Sequence, residues 1–251
     1  MIRDSVLTMG VDVTTLSPAV DRVVDLGRSG LGGYVCLSNV HMCMETFDSP
    51  DFASVVNQAD LILPDGKPLS IAQQLLGHKE ARQVRGQDIM NALCQVSGEK
   101  AINIGFYGGA SEDILDSVKG VLRAAYPDIK ITFAYAPPFR ALSDAEDAEV
   151  TKQINAAEVD VLFVGIGCPK QENWMAEHKS RIHCVTLGVG AAFDFIGGHK
   201  KYAPRWVQAI GCEWLFRLLA EPKRLWKRYL KNNPRFIYYL FLQWVGYKFS
   251  R

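Results

Sequence analysis

The sequence lacks the signatures of several common classes of enzyme and metal-binding protein. It has six cysteines, but no two form a C-x-x-C pair and no His-x-x-x-His cluster accompanies them. We therefore expect neither a structural zinc site nor a disulfide framework. The G-x-x-x-x-G-K-S/T loop of P-loop nucleotidases and the G-x-S-x-G elbow of serine hydrolases are also absent.

Long apolar segments are missing too. Thr8, Gly10 and Asp12 interrupt the first apolar stretch, so no signal peptide is expected and the predicted location is the reducing cytoplasm. The aromatic and aliphatic run at 236–249 spans 14 positions, whereas a transmembrane helix needs about 20. Basic residues near this run and aromatic residues within it favour a helix in the headgroup region of a membrane. The alternative is a helix that packs on the core, followed by a solvated basic tail.

Charge is distributed unevenly along the chain, although the net charge is only +1. Residues 201–251 carry 11 of the 28 Lys and Arg residues, two of the 27 Asp and Glu residues, and four of the five tryptophans. The predicted organisation is therefore a core at 1–200 and a basic, aromatic, helical appendage at 201–251 that associates with the inner face of the cell membrane. A basic aromatic segment also suits nucleic-acid binding, but no nucleic-acid-binding motif is present and no such partner is expected.

Short apolar runs alternate with amphipathic segments over the first 200 residues. This alternation predicts an α/β fold with a mostly parallel sheet. The predicted strands are 34–37, 61–63, 102–107, 129–134, 161–166 and 184–187. The predicted helices are 52–57, 68–76, 87–96, 112–125, 144–156 and 171–178, with Ser111 and Ser143 as N-caps. Beyond residue 204 helical segments dominate, separated by Glu221-Pro222 and Asn232-Asn233-Pro234.

Polar or glycine-rich segments follow each predicted strand. Ligands of open α/β sheets bind beyond the carboxyl ends of the strands, so these segments are expected to share one rim. Each segment alone is weak evidence for a ligand site. Pro64-Asp65-Gly66 is a common turn, and Gly165-x-Gly167 lacks the third glycine of a dinucleotide fingerprint. Gly108-Gly109 precedes a helix and can leave backbone N–H groups free for a phosphate. His41 is the histidine on this rim.

The sequence also contains no Asp-x-Asp pair, with which many nucleotide-sugar enzymes hold a divalent metal. No metal or other cofactor is therefore expected. A diphosphate ligand would instead be met by Arg, Lys and helix N-termini. The basic C-terminal segment can supply such groups through Arg217, Arg224 and Arg228.

In combination and in order, the segments over residues 30–235 resemble the WecG/TagA/CpsF glycosyltransferase family. The resemblance is carried by 38–42, 59–68, 85–88, 106–109, 137–140, 164–172, 188–194, 213–218 and 221–225. Among family members, Val40-His41-Met42 and the stretch at 226–230 are most similar to exopolysaccharide β-1,4-glucosyltransferases of the xanthan and acetan type.

This resemblance implies a Rossmann-like core and a mobile appendage that closes over the site and touches the membrane. It implies inverting, metal-independent transfer of a sugar, expected to be glucose from UDP-glucose, to an undecaprenyl-diphosphate-linked oligosaccharide in exopolysaccharide synthesis. N-acetylmannosamine and its uronic acid, used elsewhere in the family, are the alternative. An alternative hypothesis is that the protein is a non-catalytic, membrane-associated scaffold that binds nucleotide sugars. A homo-oligomer is compatible with the sequence, which does not fix the oligomeric state.

The resemblance also assigns site residues. Asp65 matches the proposed general base, since an inverting displacement needs a carboxylate to take the proton of the acceptor hydroxyl. The donor-binding residues it implies are Asn39, Arg85, Gly108, Gly109, Gln171 and, at the nucleotide base, Asp194. The diphosphate-binding residues it implies are Arg217, Arg224 and Arg228, with Lys227 as the alternative third. Many members have Thr where this chain has Leu37, which leaves the sugar or acceptor open unless Ser38 supplies the hydroxyl.

Overall fold

The computed structural model describes residues 1–109, 111–200, 202–209 and 211–249. The strands are β1 (Ile2–Val6), β2 (Met9–Val13), β3 (Gly33–Ser38), β4 (Leu61–Pro64), β5 (Asn103–Gly108), β6 (Lys130–Tyr135), β7 (Val161–Gly165) and β8 (Val185–Gly188). The helices are α1 (Leu16–Ser29), α2 (Val40–Asp48), α3 (Pro50–Asn57), α4 (Lys67–Leu75), α5 (Gly86–Ser97), α6 (Glu112–Ala125), α7 (Asp144–Ala156), α8 (Lys170–His178), α9 (Ala192–Ile196), α10 (Arg205–Ala209), α11 (Glu213–Ala220) and α12 (Pro222–Phe249).

Six strands form one parallel sheet in the order β4-β3-β8-β7-β5-β6. All six predicted strands lie in this sheet, so the predicted α/β fold with a parallel sheet is confirmed. Because the strands are parallel, the segments that follow β3, β4 and β8 emerge at one edge of the sheet. The register places Ser38, at the end of β3, opposite Pro64, at the end of β4.

Side chains alternate between the two faces of the sheet, and helices cover both. On β3, Val35 and Leu37 belong to a core that includes buried residues of α1, α5, α6 and α9. Tyr34 and Cys36 belong to the opposite core, with residues of α2, α3, α8 and α12. Such two-sided burial is typical of parallel sheets. The N-caps predicted for α6 and α7 are present, and Ser143 forms a full capping box with Glu146.

The N-terminal hairpin β1–β2 and helices α1 and α2 were not among the predicted elements. Asp12, which interrupts the apolar pattern, is buried in the folded chain. Its carboxylate pairs with Arg3 Nε at 2.9 Å and accepts a hydrogen bond from Ile62 N at 2.7 Å. A buried charge is tolerated when it is paired and hydrogen-bonded in this way, and sequence periodicity does not reveal such a pair.

Helix α12 runs unbroken through the segment where a break was predicted. Glu221-Pro222 does separate α11 from α12, but Asn232-Asn233-Pro234 lies inside α12, so the second predicted boundary is wrong. Contacts with α2 hold the helix at this point. Arg235 forms an ion pair with Asp48, and Asn232 donates to Nδ1 of His41 at 3.1 Å. Tertiary contacts here outweigh the helix-breaking tendency of proline.

The two faces of α12 differ in their surroundings. Phe236 and Leu240 are buried in the core beside α2, as the core-packing interpretation of this segment expects. The outer face exposes the large apolar side chains of Leu242 and Phe249. Ile237, Tyr238 and Phe241 are also exposed, but they line a cavity. Membrane-surface contact by this outer face stays a prediction. In the described part of the chain, no helix is both long enough and apolar enough to cross a bilayer.

Candidate active site

A cavity of about 950 Å³ opens beside the carboxyl ends of β3 and β4. Helix α12 and the segment around α11 form its other walls. Charged and polar groups cluster at its inner end, among them Asp65, His41, Arg217 and Arg228. Apolar side chains, including Ile237 and others of α4 and α12, line its outer part. The cavity therefore joins a polar end to an apolar outer part.

Asp65 lies in the turn between β4 and α4. Gly66 N donates to the carbonyl of Ser38 at 3.0 Å, which ties this turn to β3. Oδ1 of Asp65 accepts a hydrogen bond from Gly86 N at 2.7 Å, and Gln83 donates to its backbone carbonyl at 2.7 Å. No group in the described part of the chain donates a hydrogen bond to Oδ2. That oxygen is therefore free to accept one from a substrate hydroxyl.

Burial raises the pKa of Asp65 to about 6. The negative charge of Glu213 adds to the increase, while the hydrogen bond from Gly86 and the charges of Arg217 and Arg85 oppose it. A carboxyl group with a pKa near 6 is ionised at neutral pH yet is more basic than an exposed aspartate. Such a group suits general-base catalysis.

Asn39 and His41 border Asp65 from the start of α2. Oδ1 of Asn39 caps this helix by accepting from the backbone N–H groups of His41 at 3.0 Å and Met42 at 3.2 Å. Only the amide nitrogen of Asn39 then remains for a ligand in the cavity. Burial lowers the pKa of His41 to about 4, helped by the charges of Arg228 and Lys231. His41 is consequently neutral near pH 7, and its Nδ1 accepts from Asn232.

Arg85 stands beside Asp65 without lining the cavity. It donates to Asp88 at 3.2 Å, and its Nε lies 3.7 Å from a carboxylate oxygen of Glu213. This Nε is buried and makes no hydrogen bond. Arg85 thus contributes to the electrostatic surroundings of Asp65, and direct contact with a donor remains a prediction.

The cationic residues of α11 and α12 divide into two groups. Arg217 and Arg228 line the cavity, and neither forms an ion pair with a described carboxylate. Arg228 is largely buried, which lowers its pKa, and its Nε makes no hydrogen bond. Arg224 instead donates two hydrogen bonds, of 2.6 and 2.9 Å, to the carboxylate of Glu221. Lys227 lies outside, 5.7 Å from the ring centre of Trp226.

Gly108 and Gly109 lie close against the neighbouring strand β7. A Cβ on Gly108 would lie 2.6 Å from backbone atoms of Gly165, and the φ angle of Gly108 is +132°. Gly109 N donates to the carbonyl of Gly165 at 3.3 Å. The glycines therefore let β5 and β7 approach closely. The N–H of Gly109, which was expected to be free for a phosphate, is already used within the protein.

Gln171 connects two loops of the rim. Its buried Oε1 accepts from Gly167 N and Gly190 N, both at 3.2 Å, and its Nε2 donates to Glu172 at 2.7 Å. The side chain thereby fixes the loop after β7 to the loop after β8. The second loop reaches the Asp65 site, since a Cβ on Gly86 would lie 3.8 Å from Oδ1 of Asp65 and 3.9 Å from the carbonyl of Val189.

Asp194 belongs to an ion-pair chain between α9 and α12. Lys200 lies 2.8 Å from Asp194 and 3.4 Å from Glu221, which in turn binds Arg224. Asp194 does not line the cavity. Contact with a nucleotide base remains a prediction, and the ion pairs show a structural role for both Asp194 and Arg224.

Leu37 and Ser38 do not present a hydroxyl to the cavity. Leu37 is buried in the core on the α1 side of the sheet. Ser38 is fully buried, and its Oγ donates to Sδ of Met42 at 3.3 Å. The hydroxyl contact implied by the family's threonine therefore has no counterpart at these two positions.

Sequence reasoning missed several residues of the cavity wall. They are Lys67, Gln83, Glu213, Trp214, Tyr229 and Asn232. Two of them carried a signal, since Lys67 directly follows Pro64-Asp65-Gly66 and Glu213 is one of two acids in a basic segment. In the described part of the chain, no group of three or more His, Cys, Asp or Glu side chains is placed to hold a metal ion.

Comparison with known proteins gives consistent matches along the chain. Residues 5–250 match the model of the Glycosyl transferase WecG/TagA/CpsF family. A relative from Bacillus subtilis (strain 168) is 30% identical over 202 residues, covering 80% of this chain and 76% of the relative. One from Bacillus spizizenii (strain W23) is 29% identical over 207 residues, covering 82% and 77%.

A third relative, from Staphylococcus aureus (strain NCTC 8325), is 27% identical over 236 residues and covers 93% of this chain and 90% of its own length. All three relatives carry the name N-acetylglucosaminyldiphosphoundecaprenol N-acetyl-beta-D-mannosaminyltransferase. None of the three is named as a glucosyltransferase of the xanthan type. The family match spans nearly the whole chain, and the protein therefore belongs to the WecG/TagA/CpsF family of glycosyl transferases.

Proposed function

We propose that this protein transfers N-acetylmannosamine from UDP-N-acetylmannosamine to N-acetylglucosamine linked to undecaprenyl diphosphate. The names of the three relatives support this choice and favour it over the glucose transfer expected from Val40-His41-Met42 and 226–230. The observation that carries the proposal is the cavity itself. The cavity holds the carboxylate of Asp65, whose pKa is raised. It also holds the guanidinium groups of Arg217 and Arg228, neither of which forms an ion pair with a described carboxylate.

The proposed reaction is a single inverting displacement. Oδ2 of Asp65 takes the proton from the acceptor hydroxyl while the hydroxyl oxygen attacks the anomeric carbon of the donor. The bond between that carbon and the phosphate oxygen breaks, and UDP leaves with the bonding electrons. Arg217 and Arg228 stabilise the charge that develops on the leaving diphosphate. A positioned base contributes roughly 10²–10⁴-fold to such a rate.

The rest of the rim supports this centre by fixing its shape. Gln171 holds the loops after β7 and β8, and the second of these loops borders the backbone that binds Asp65. Asn39 offers its amide nitrogen next to the base. We expect donor contacts at Gly108 and Gly109 to use backbone atoms, and donor contact at Asp194 to displace its ion pair with Lys200.

A donor panel tests the proposal. The protein is incubated with a short-chain lipid-diphosphate N-acetylglucosamine and, in turn, UDP-N-acetylmannosamine, its uronic acid and UDP-glucose, each with and without EDTA. We expect UDP release with the first donor only, at a rate that EDTA does not change. NMR coupling constants of the product give the anomeric configuration. Preferred use of UDP-glucose would restore the glucosyl interpretation, and no turnover with any donor would favour the non-catalytic scaffold.

The outer face of α12 provides the proposed contact with the inner leaflet of the membrane. Phe249 is 88% exposed there, and Lys248 precedes it. Truncation after residue 236 would also remove buried Leu240, so point substitution is the sharper test. We expect Phe249→Ser to weaken binding to anionic vesicles, with Leu31→Ser, at an exposed apolar residue outside the appendage, as the control. Equal vesicle binding by both variants and the unaltered protein would contradict this contact.

A further inference from the structure

The outer part of the active-site cavity continues into an apolar groove between α4 and α12. Ile71 of α4 and Ile237, Leu240 and Phe241 of α12 line the main cavity. A smaller cavity of about 310 Å³ follows, lined by Leu75, Ile237, Leu240, Phe241 and Trp244. The two cavities share Ile237, Leu240 and Phe241, so they form one path. We call these six residues the α4–α12 groove.

The groove is exposed despite being apolar. Ile71, Leu75, Ile237 and Phe241 are 43, 45, 66 and 55% exposed, respectively. None of the six residues carries a charge. A contiguous exposed apolar surface of this kind marks a site where an apolar ligand or partner binds.

Polarity changes in order along the side of α12 that lines the two cavities. Arg228 and Asn232 stand at the polar end of the cavity, and Ile237, Phe241 and Trp244 follow about one helical turn apart. From Arg228 to Trp244 the helix rises roughly 24 Å. A ligand lying along this side of the helix would meet polar groups first and apolar side chains afterwards. This order fits a diphosphate joined directly to a long hydrocarbon chain.

We propose that the α4–α12 groove binds the first isoprene units of the polyprenyl chain of the acceptor. The proposal rests on the proposed function, which supplies a polyprenyl diphosphate as the acceptor. Continuity decides between possible occupants: the groove opens directly from the cavity that holds Asp65, to which the acceptor sugar must come. A chain attached to a diphosphate bound there must leave through this apolar opening or lie in water.

Occupation of the groove would also set the position of the acceptor sugar. The diphosphate links the chain to the sugar, so a chain held between α4 and α12 limits how far the sugar can shift relative to Asp65. The groove thus makes binding of the acceptor depend on the length of its prenyl chain. It is separate from the groups that carry the reaction.

A binding experiment tests the groove without requiring turnover. Calorimetry compares farnesyl diphosphate with dimethylallyl diphosphate in the absence of lipid and detergent, at concentrations where neither aggregates. We expect farnesyl diphosphate to bind at least about tenfold more tightly, because its additional isoprene units bury apolar surface. Phe241→Ser and Ile71→Ser should each remove most of this difference, because they lower the affinity for farnesyl diphosphate much more than that for dimethylallyl diphosphate.

Leu242→Ser is the matched control. Leu242 neighbours Phe241 on the same helix and is 48% exposed, but it lines neither cavity. The control should keep the full preference for farnesyl diphosphate. Thermal unfolding of all three variants shows whether they are folded. Equal affinity of the unaltered protein for the two diphosphates, or an equal loss with Leu242→Ser, would overturn the proposal.

Two further outcomes separate the groove from other surfaces. If Phe241→Ser weakens vesicle binding or changes the sedimentation coefficient while the preference for farnesyl diphosphate persists, the face contacts a bilayer or a second copy and the proposal is wrong. Failure of the proposed function looks different. If the protein prefers farnesyl diphosphate but transfers no sugar, the groove proposal holds and the proposed function is wrong. If it transfers sugar but its binding does not depend on chain length, the proposed function holds and the groove proposal is wrong.

Discussion

Oδ1 of Asp65 accepts a hydrogen bond of 2.7 Å from the backbone N–H of Gly86, the first residue of α5. The bond fixes the carboxylate from one side and leaves Oδ2 without a donor among the described residues. It also stabilises the charged form of a partly buried group whose pKa is nevertheless raised by burial. A backbone donor cannot rotate away, so the orientation of this carboxylate is set by the fold.

Replacing Asp65 by Asn should remove activity without unfolding the protein. We expect Asp65→Asn to lower kcat by about 10²–10⁴-fold, because an amide cannot take the proton. Its Oδ1 can still accept from Gly86, so the melting temperature at pH 8 should equal or exceed that of the unaltered protein. Turnover within threefold of the original value would exclude Asp65 as the base.

The pH dependence of the rate should report the ionisation of Asp65. The pKa is about 6 and only the deprotonated form acts as a base, so kcat/KM should rise about tenfold per pH unit up to pH 6 and level off above it. The charge of Glu213 helps to raise this pKa. Glu213→Gln should therefore move the inflection to lower pH, whereas Asp88→Asn should not. An inflection near pH 4 in the unaltered protein would contradict this assignment.

The neighbouring residues Arg228 and Lys227 of α12 should differ sharply in their effect on the catalytic rate. Arg228 lines the cavity without a described carboxylate partner, while Lys227 lies outside beside Trp226. We expect Arg228→Gln to lower kcat by at least about 10²-fold through loss of charge stabilisation on the leaving diphosphate, and Lys227→Gln to stay within threefold. Steady-state kinetics on the two variants compare them directly. The reverse order would assign the third diphosphate contact to Lys227.

His41 should stay neutral far below the pH at which exposed histidines are protonated. Burial and the charges of Arg228 and Lys231 lower its pKa from 6.5 to about 4. Between these pH values the unfolded chain binds more protons than the folded protein, so this group makes stability fall as pH decreases from about 6.5 to about 4.

NMR titration of the His41 ring and denaturant unfolding measure these two effects. Lys231→Gln should raise the pKa of His41, whereas Lys223→Gln, near the start of α12, should leave that pKa unchanged. His41→Gln should remove part of the acid sensitivity of folding. A ring that titrates near pH 6.5 in the unaltered protein would refute the prediction.

Two glycine-to-alanine substitutions should have opposite effects on stability. A Cβ at Gly108 would meet backbone atoms of Gly165 at 2.6 Å on a backbone with φ +132°, so Gly108→Ala should cost about 3 kcal/mol or more. Gly120 lies within α6, and a Cβ there meets nothing within 4 Å. Gly120→Ala should add roughly 0.5–1 kcal/mol. Urea unfolding of both variants checks the pair, and equal destabilisation would contradict it.

The sheet could be predicted from the sequence because its strands are short apolar runs separated by amphipathic segments. The same pattern cannot reveal a buried ion pair. Asp12 therefore concealed the β1–β2 hairpin, and the contacts of Asn232 and Arg235 with α2 kept α12 continuous through Pro234. These features depend on residues that are distant in the sequence.

The site was predictable in composition but not in detail. Asp65, Asn39, Arg217 and Arg228 do line one cavity. Gln171 follows β7 as expected, but it does not line this cavity, and its side-chain oxygen joins two loops. The hydrogen-bond partners of a side chain depend on loop geometry, which spacing along the sequence does not determine.

Gln243 of α12 donates to the carbonyl of Ser5 at 2.8 Å and accepts from Leu7 N at 2.9 Å. The first hairpin thereby anchors the helix that forms one wall of the cavity, although no residue of β1 or β2 lines that cavity. Trimming the opening residues, or fusing a bulky tag against β1, would shift that wall from a distance. Loss of activity in such an altered protein would reflect a displaced helix rather than a missing catalytic group.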